Sequence, residues 1–288
     1  MVTKIYHISD IHIRLYRRHD EYRRVFNTLY NYINQTKDSN SLIVLTGDIV
    51  HNKTDMSPEM FQLTADFLKS CADLLPTILI PGNHDANLSN SDRLDALTPI
   101  VDAIAHPNLV YLKESQLYKY DNITFSVFSV FEPADKWLPA NLIPDGQIKI
   151  ALCHGSVIGA KTETTTMLTG IQTNIFDGFD YALLGDIHTF AYLNDEKTIA
   201  YPSSLICQNF GEHPTEHGII VWDLVNCSSE FVKIPNEIAY VTFTLAHGID
   251  TVIPPDLPKK LRVRIKYDDL ITPDQIRAFI GNLNDCGH

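Results

Sequence analysis

Five times along this chain a short apolar run stops at residues able to bind a metal ion. Lys4 to Ile8 ends at Ser9-Asp10-Ile11-His12, and Leu42 to Thr46 ends at Gly47-Asp48. Thr77 to Ile80 leads into Pro81-Gly82-Asn83-His84-Asp85, Ile148 to Leu152 into Cys153-His154-Gly155, and Tyr181 to Leu184 into Gly185-Asp186-Ile187-His188. Apolar runs bounded by turn residues fit strands covered on both faces. In open α/β sheets ligands bind beyond the carboxyl ends of the strands, and that is where these polar residues fall.

Between the first of these strands the spacing becomes helical. Asp20 to Gln35 places Tyr22, Val25, Phe26, Leu29 and Ile33 on one face. Ser57-Pro58-Glu59 reads as a helix start, a capping hydroxyl followed by proline at the first helical position. From Asn108 onward shorter strand patterns take over: Val110 to Leu112, Ile123 to Val130, Ala191 to Leu193, Thr198 to Tyr201, Gly218 to Leu224 and Glu230 to Ile234. These predict a second sheet packed on the first. The expected architecture is α/β, a two-sheet β-sandwich flanked by helices over residues 1–235.

Past Pro235 the ligand-type pattern ceases. Tyr240 to Leu245 and Leu261 to Tyr267 read as strands, and Thr272-Pro273-Asp274-Gln275 opens a helix with capping-box spacing. Residues 236–288 are expected to form a small C-terminal α+β unit that stops before such a unit is complete.

A formal net charge of −12 speaks against a simple polyanion binder. Carboxylates that hold divalent cations, however, enter that sum without contributing their charge to the assembled site. No apolar run reaches the roughly 18 residues of a membrane span, and Met1-Val2-Thr3-Lys4-Ile5 enters a strand without a signal-peptide pattern. Cys71, Cys153, Cys207, Cys227 and Cys286 are scattered, with no C-x-x-C pair, as suits reduced thiols. An intracellular protein, nuclear or cytoplasmic, is expected.

Asp10, His12, Asp48, Asn83, His154, Asp186 and His188 are too many ligands for one ion and about right for two sharing a bridging carboxylate. Mixed carboxylate and imidazole donors suit Mn, Fe or Zn, whereas an all-oxygen set would suit Mg or Ca. No cysteine cluster offers a structural zinc site. His84 is the candidate general acid, a role that histidine side chains suit. Arg14, Arg17, Arg18, Arg23 and Arg24 follow the first motif; they read equally well as phosphate contacts and as a solvated helix face beside Asp20 and Glu21. Cys153, His7, His19, His106, His213, His217 and His247 read as structural or exposed.

The ordered set Asp10-x-His12, Gly47-Asp48, Gly82-Asn83-His84-Asp85, Cys153-His154-Gly155 and Gly185-Asp186-x-His188 resembles the calcineurin-like metallophosphoesterases. Within that superfamily it is most similar to the Mre11/SbcD nuclease branch, viral and phage versions included. His51 stands where that branch places a substrate-positioning histidine. Tyr201-Pro202-Ser203-Ser204-Leu205 to Phe210-Gly211-Glu212, then His217-Gly218-Ile219-Ile220, is similar to its post-motif segment, and the unit near Tyr240 stands where it carries a DNA-facing capping domain.

The resemblance implies one metal held by Asp10, His12, Asp48 and His188, and a second held by Asp48, Asn83, His154 and Asp186, with Mn(2+) the expected ion. It implies His84 as general acid, Asp85 as the partner orienting it, and His51 placing the phosphate. Arg14, Arg17, Arg18 and Lys53 are the candidate DNA contacts. The chain departs from the branch at Asp186, where histidine is usual. The implied function is a Mn-dependent DNA nuclease of double-strand break repair, a 3'-5' exonuclease on duplex ends and an endonuclease on single strands. Its expected partners are DNA, a Rad50/SbcC-like ATPase and a second copy in a homodimer, with Leu68, Leu74, Leu75, Leu94 and Leu97 on helices Ser57 to Leu74 and Asp92 to Ala105 as candidate dimer residues. The alternatives are a phosphatase or cyclic-nucleotide phosphodiesterase on the same fold, and a non-catalytic scaffold.

Overall fold

The computed structural model describes residues 1–90, 93–158 and 170–287. Each buried run becomes a strand with both faces covered. In β1 (Lys4–Ile8), β2 (Ser41–Thr46) and β3 (Thr77–Ile80), alternate side chains enter two different cores. Tyr6, Ile8, Ile43, Leu45 and Leu79 pack against helices α1 (His19–Thr36), α2 (Pro58–Leu74) and α3 (Thr98–Ile104). Ile5, Leu42, Val44, Ile78 and Ile80 face the second sheet instead. Strand periodicity of two, with both faces buried, therefore explains why the sequence shows runs rather than alternation.

Three further strands complete the first sheet: β4 (Leu109–Tyr111), and, from late in the chain, β11 (Gly218–Asp223) and β12 (Ser228–Lys233). Its order is β12-β11-β1-β2-β3-β4, parallel from β1 to β4 and antiparallel at the β11 and β12 edge. The second sheet contains β5 (Leu117–Tyr120), β6 (Ile123–Phe128), β7 (Ile148–His154), β8 (Tyr181–Gly185), β9 (Ala191–Tyr192) and β10 (Ile199–Tyr201). It is ordered β5-β6-β7-β8-β10-β9, with β6, β7, β8 and β10 parallel. Phe125, Ile150, Leu152, Leu183 and Trp222 fill the space between the sheets. The fold is thus the expected two-sheet α/β sandwich with helices outside. The carboxyl ends of β1, β2, β3, β7 and β8 carry all five ligand-bearing motifs.

The helix starts follow their chemistry. Ser57 Oγ accepts from the Met60 N–H at 3.2 Å, with Pro58 in the first turn, and Thr272 and Gln275 form the reciprocal capping box of α4 (Pro273–Asp285). Beyond Pro235, β13 (Ile238–Leu245) and β14 (Lys260–Tyr267) pair with each other in parallel. With α4 they bury their own cluster of Val241, Phe243, Leu257, Phe279 and Leu283.

Leu68 and Leu97, candidates for a dimer surface, are fully buried in the core under α1 to α3. They are spent on packing and cannot face a second copy, whereas Leu94 is 72% exposed. The helix expected from Asp92 is shorter, since α3 begins at Thr98; Asp92 itself lies outside the described residues. No helix among the described residues is long and apolar enough to cross a membrane.

Candidate metal centre

Three of the ligand-bearing strands, β1, β2 and β8, end in residues with left-handed backbone. Asp10, His12, Asp48 and Asp186 take φ values of 54°, 52°, 53° and 98°, a region that costs a residue with a side chain about 1–3 kcal/mol and persists only where the surroundings enforce it. What enforces it is the meeting of the loops. A Cβ at Gly47 would lie 2.6 Å from His154 Nδ1 and 2.7 Å from the Gly82 nitrogen, and one at Gly82 would lie 2.2 Å from Asp48 Oδ1. Both glycines are there because three strand ends touch.

The seven expected ligands converge in two groups. In the first, His12 Nε2 is 2.9 Å from His188 Nε2, 3.4 Å from Asp48 Oδ2 and 3.9 Å from Asp10 Oδ1, and His188 Nε2 is 3.7 Å from Asp10 Oδ1. In the second, His154 Nε2 is 3.4 Å from Asp48 Oδ1 and 3.8 Å from Asp186 Oδ1; Asn83 stands beside them, its amide nitrogen donating to Asp186 Oδ1 at 3.1 Å, with its carbonyl oxygen as the atom able to bind a metal. Donors about 2.0–2.2 Å from a common ion stand on the order of 3 Å apart, so these separations outline two coordination shells. Asp48 belongs to both, one oxygen to each. Asp186 is held by the Ser156 hydroxyl at 2.6 Å, with its other oxygen toward Asn83 and His154.

The histidines are pinned from behind. His154 Nδ1 donates to the Thr46 carbonyl at 2.7 Å, and His188 Nδ1 donates to Glu212 Oε1 at 2.8 Å. Neither acceptor carries a hydrogen, so each ring turns Nε2 toward the carboxylates. Among the described residues, His154 Nε2 is buried without a hydrogen-bond partner.

Burial pushes the Asp10 carboxyl up to about 6 against the pull of His188 and His154. Burial would raise Asp48 too, but His154, His12 and His84 hold it well below the usual carboxylate range. At His154 burial works downward and is overridden by Asp48, which lifts the imidazole to about 10. Such a field calls for positive charge. An unpartnered imidazole edge among three carboxylates therefore fits divalent cations: Asp10, His12, Asp48 and His188 would hold one, and Asp48, Asn83, His154 and Asp186 the other.

His84 and His51 overhang this cluster. The His84 ring centroid is 4.8 Å from that of His12 and 5.6 Å from that of His51, and an open cleft is lined by His51, Asn52, Lys53, Asn83 and His84. His84 is oriented differently from the expectation. Its Nδ1 donates to the His51 carbonyl at 2.9 Å. Asp85 instead accepts the backbone N–H groups of Val50, Ile49 and Gly82 at 2.9, 3.3 and 2.8 Å. Asp85 is a brace between the Asp48 and Asn83 loops, because its carboxylate is fully occupied by amides.

The candidate DNA contacts divide. Lys53 is exposed at the cleft, its Nζ 3.3 Å from the Asn83 carbonyl. Arg14 sits behind His51, with Nη1 3.2 Å from His51 Nε2 and Nη2 on Gln208. Burial and the Arg14 charge together lower the His51 pKa to about 4. Arg17 is exposed. Arg18 is not available to a phosphate: its side chain is 6% exposed, paired with both Glu21 oxygens at 2.9 and 2.6 Å and donating to the Cys207 carbonyl. Sequence reasoning missed Thr46, Ser156 and Glu212, which hold His154, Asp186 and His188 from behind, and Gln208, which ties Arg14 to the Ile11 carbonyl. The stretch from Tyr201 to Glu212, similar to the branch's post-motif segment, was the one signal that could have found Gln208 and Glu212.

A family profile described as calcineurin-like phosphoesterase matches residues 3–191. Uncharacterized protein R555 of Acanthamoeba polyphaga mimivirus is 48% identical over 289 residues, covering 94% of this chain and 21% of that protein. The chain thus spans about a fifth of that relative's length. A crystal structure of TT1561 of Thermus thermophilus is similar at 13% identity with a TM-score of 0.47, covering 82% of this chain and all of that one.

Proposed function

The chain belongs to the calcineurin-like phosphoesterase family, and from that premise we propose that it is a two-metal nuclease hydrolysing DNA phosphodiesters. The observation that carries the reading is the pairing of the two ligand groups with His84, whose ring lies over the cluster with Nδ1 already committed to the His51 carbonyl. Two divalent ions held there supply Lewis acidity and lower the pKa of an attacking water. His84 Nε2 is then the end left to deliver a proton to the departing sugar oxygen. His51, kept neutral by burial and by Arg14, has Nε2 against that arginine and Nδ1 buried, so it supports the phosphate site by packing beside His84.

A polymeric substrate is supported by two features of charge and shape. The cleft beside His84 is open and polar, with Lys53 on its rim. In an otherwise acidic chain, β14 carries Lys260, Arg262, Arg264 and Lys266 at alternate positions on one face; Arg262 is paired with Glu21 and Arg264 lies over Phe210, which leaves the exposed Lys260 and Lys266 as the charges that suit a phosphate backbone. Manganese as the ion, a homodimer and a Rad50-like ATPase partner belong to this reading on the strength of the resemblance alone.

The test compares end-labelled linear duplex DNA, single-stranded DNA and a small phosphomonoester with Mn²⁺. Metal-dependent shortening of DNA supports the nuclease. Turnover of the monoester with DNA left intact would replace it by the phosphatase reading.

A further inference from the structure

Glu212 is 5% exposed and lies behind the metal cluster, outside either ligand group. Its carboxylate takes four donors: His188 Nδ1 at 2.8 Å and Asn209 Nδ2 at 2.9 Å on Oε1, Ser204 Oγ at 3.0 Å and the Gln208 N–H at 2.8 Å on Oε2. No lysine or arginine is among them. A buried carboxylate held this completely has one fixed orientation, and so has the imidazole it grips. His188 Nε2 is consequently aimed at His12 and Asp10.

The short loop that carries Glu212 is anchored at both ends of the molecule. Toward the centre, the Gln208 side chain donates to the Ile11 carbonyl, inside the first motif, and accepts from Arg14. Toward the C-terminal unit, Phe210 meets the Tyr240 ring edge-on with centroids 4.9 Å apart, and the Arg264 guanidinium lies over Phe210 at 4.2 Å. The strand pair β13 and β14 is fixed to the same place by Arg262, which stacks on Tyr240 at 5.0 Å and pairs with Glu21 at 3.1 Å; Glu21 in turn binds Arg18, and Arg18 donates to the Cys207 carbonyl.

We propose that the loop from Cys207 to Glu212 transmits the position of the C-terminal β13-β14-α4 unit to the metal centre, with Phe210 as its handle and Glu212 as the positioning residue of His188. The chain of contacts is unbroken: Arg264 and Tyr240 hold Phe210, Phe210 is two residues from Glu212, and Glu212 holds His188. Any shift of the C-terminal unit moves Arg264 and Arg262, and with them the ring and ion-pair contacts that seat this loop. The proposal rests on reading His188 as a metal ligand and is independent of the substrate.

The experiment is Mn²⁺ binding to the full chain, followed by calorimetry and by electron paramagnetic resonance, for the unsubstituted protein, Glu212→Gln and Phe210→Ala. The unsubstituted protein is expected to bind two ions. Glu212→Gln should weaken one of them about 10–100-fold, the usual cost of removing a carboxylate behind a ligand histidine. The ion at His154 should bind as before, which also reports an intact fold. Phe210→Ala should weaken the same ion in the same direction by a smaller factor. Equal binding of both ions in Glu212→Gln, or parallel loss of both with a lowered melting temperature, overturns the positioning role. Unchanged binding in Phe210→Ala overturns the link to the C-terminal unit. An unsubstituted chain that binds no ion removes the metal reading itself, a failure separate from any result on DNA.

Discussion

His84 is oriented by the main-chain carbonyl of His51, 2.9 Å from its Nδ1, and not by Asp85, the acid next to it in sequence. A backbone carbonyl can only accept, so the ring carries a hydrogen on Nδ1 and presents Nε2 to the cleft. The orienting group also survives any substitution of the His51 side chain.

His84→Gln is therefore expected to lower kcat on DNA by about 10²–10⁴-fold, the range of a lost general acid. His84 is in neither ligand group, so both ions should remain bound. His51→Ala leaves the carbonyl in place and should cost less, chiefly in KM. Metal content and steady-state rates measured on the same preparations decide it; loss of an ion in His84→Gln would make His84 a ligand rather than an acid.

Gly82→Ala tests the crowding of the strand ends. Its methyl group would sit 2.2 Å from Asp48 Oδ1 and 2.4 Å from the Asp48 nitrogen, in a place where neither neighbour can retreat without moving the bridging ligand. A destabilisation of about 1–3 kcal/mol is expected from overpacking, together with loss of both ions, since Asp48 serves both groups. Urea melts and metal titration report the two effects. A variant with normal metal binding would show that the loops have slack.

His7 ties stability to pH. It is fully buried, bonded to Thr46 Oγ1 at 3.0 Å and stacked on Trp222, and burial lowers its pKa to about 3 from the 6.5 of a free histidine. The folded pKa lies below the unfolded one, so the unfolded chain binds the extra proton. This contribution to stability is complete above about pH 6.5 and is lost as pH falls toward 3, at up to about 1.4 kcal/mol per pH unit. His7→Gln cannot titrate and should have a flatter acid limb than the unsubstituted protein in a pH series of urea melts. Parallel limbs would show that His7 titrates alike in both states.

The three cations near the cleft should behave differently on DNA. Lys53→Ala removes an exposed charge at the rim and should reduce the slope of log K against log salt by about 1. Arg18→Ala should leave that slope unchanged and instead cost roughly 1–3 kcal/mol of stability, because its bonds go to Glu21 and the Cys207 carbonyl. Arg14→Ala frees His51 Nε2 and should raise the His51 pKa, since the arginine charge helps to depress it; titration of the ring by NMR would show this. An unchanged salt slope in Lys53→Ala would take that residue out of the interface.

Read as sequence alone, the chain already determined where its ligands would stand. Buried parallel strands must be apolar on both faces, so each of the five motifs announced itself as the first polar residues after such a run, and the sandwich of two sheets followed from their number and order. Local chemistry likewise determined the helix starts at Ser57 and Thr272, because capping is a contact between near neighbours. What the sequence could not determine were contacts between segments far apart in the chain and made through groups that every residue possesses. The carbonyls of Thr46 and His51 orient His154 and His84, yet a carbonyl leaves no mark in the one-letter code. Asp85 looked like the partner of His84 by adjacency, but the turn aims its carboxylate at three amides of other loops. Glu212 reaches His188 across 24 residues, and Arg18 reaches the Cys207 carbonyl across 189. Those choices belong to the tertiary structure, because burial makes each polar group take the nearest partner in space, and only the packed loops decide which partner that is.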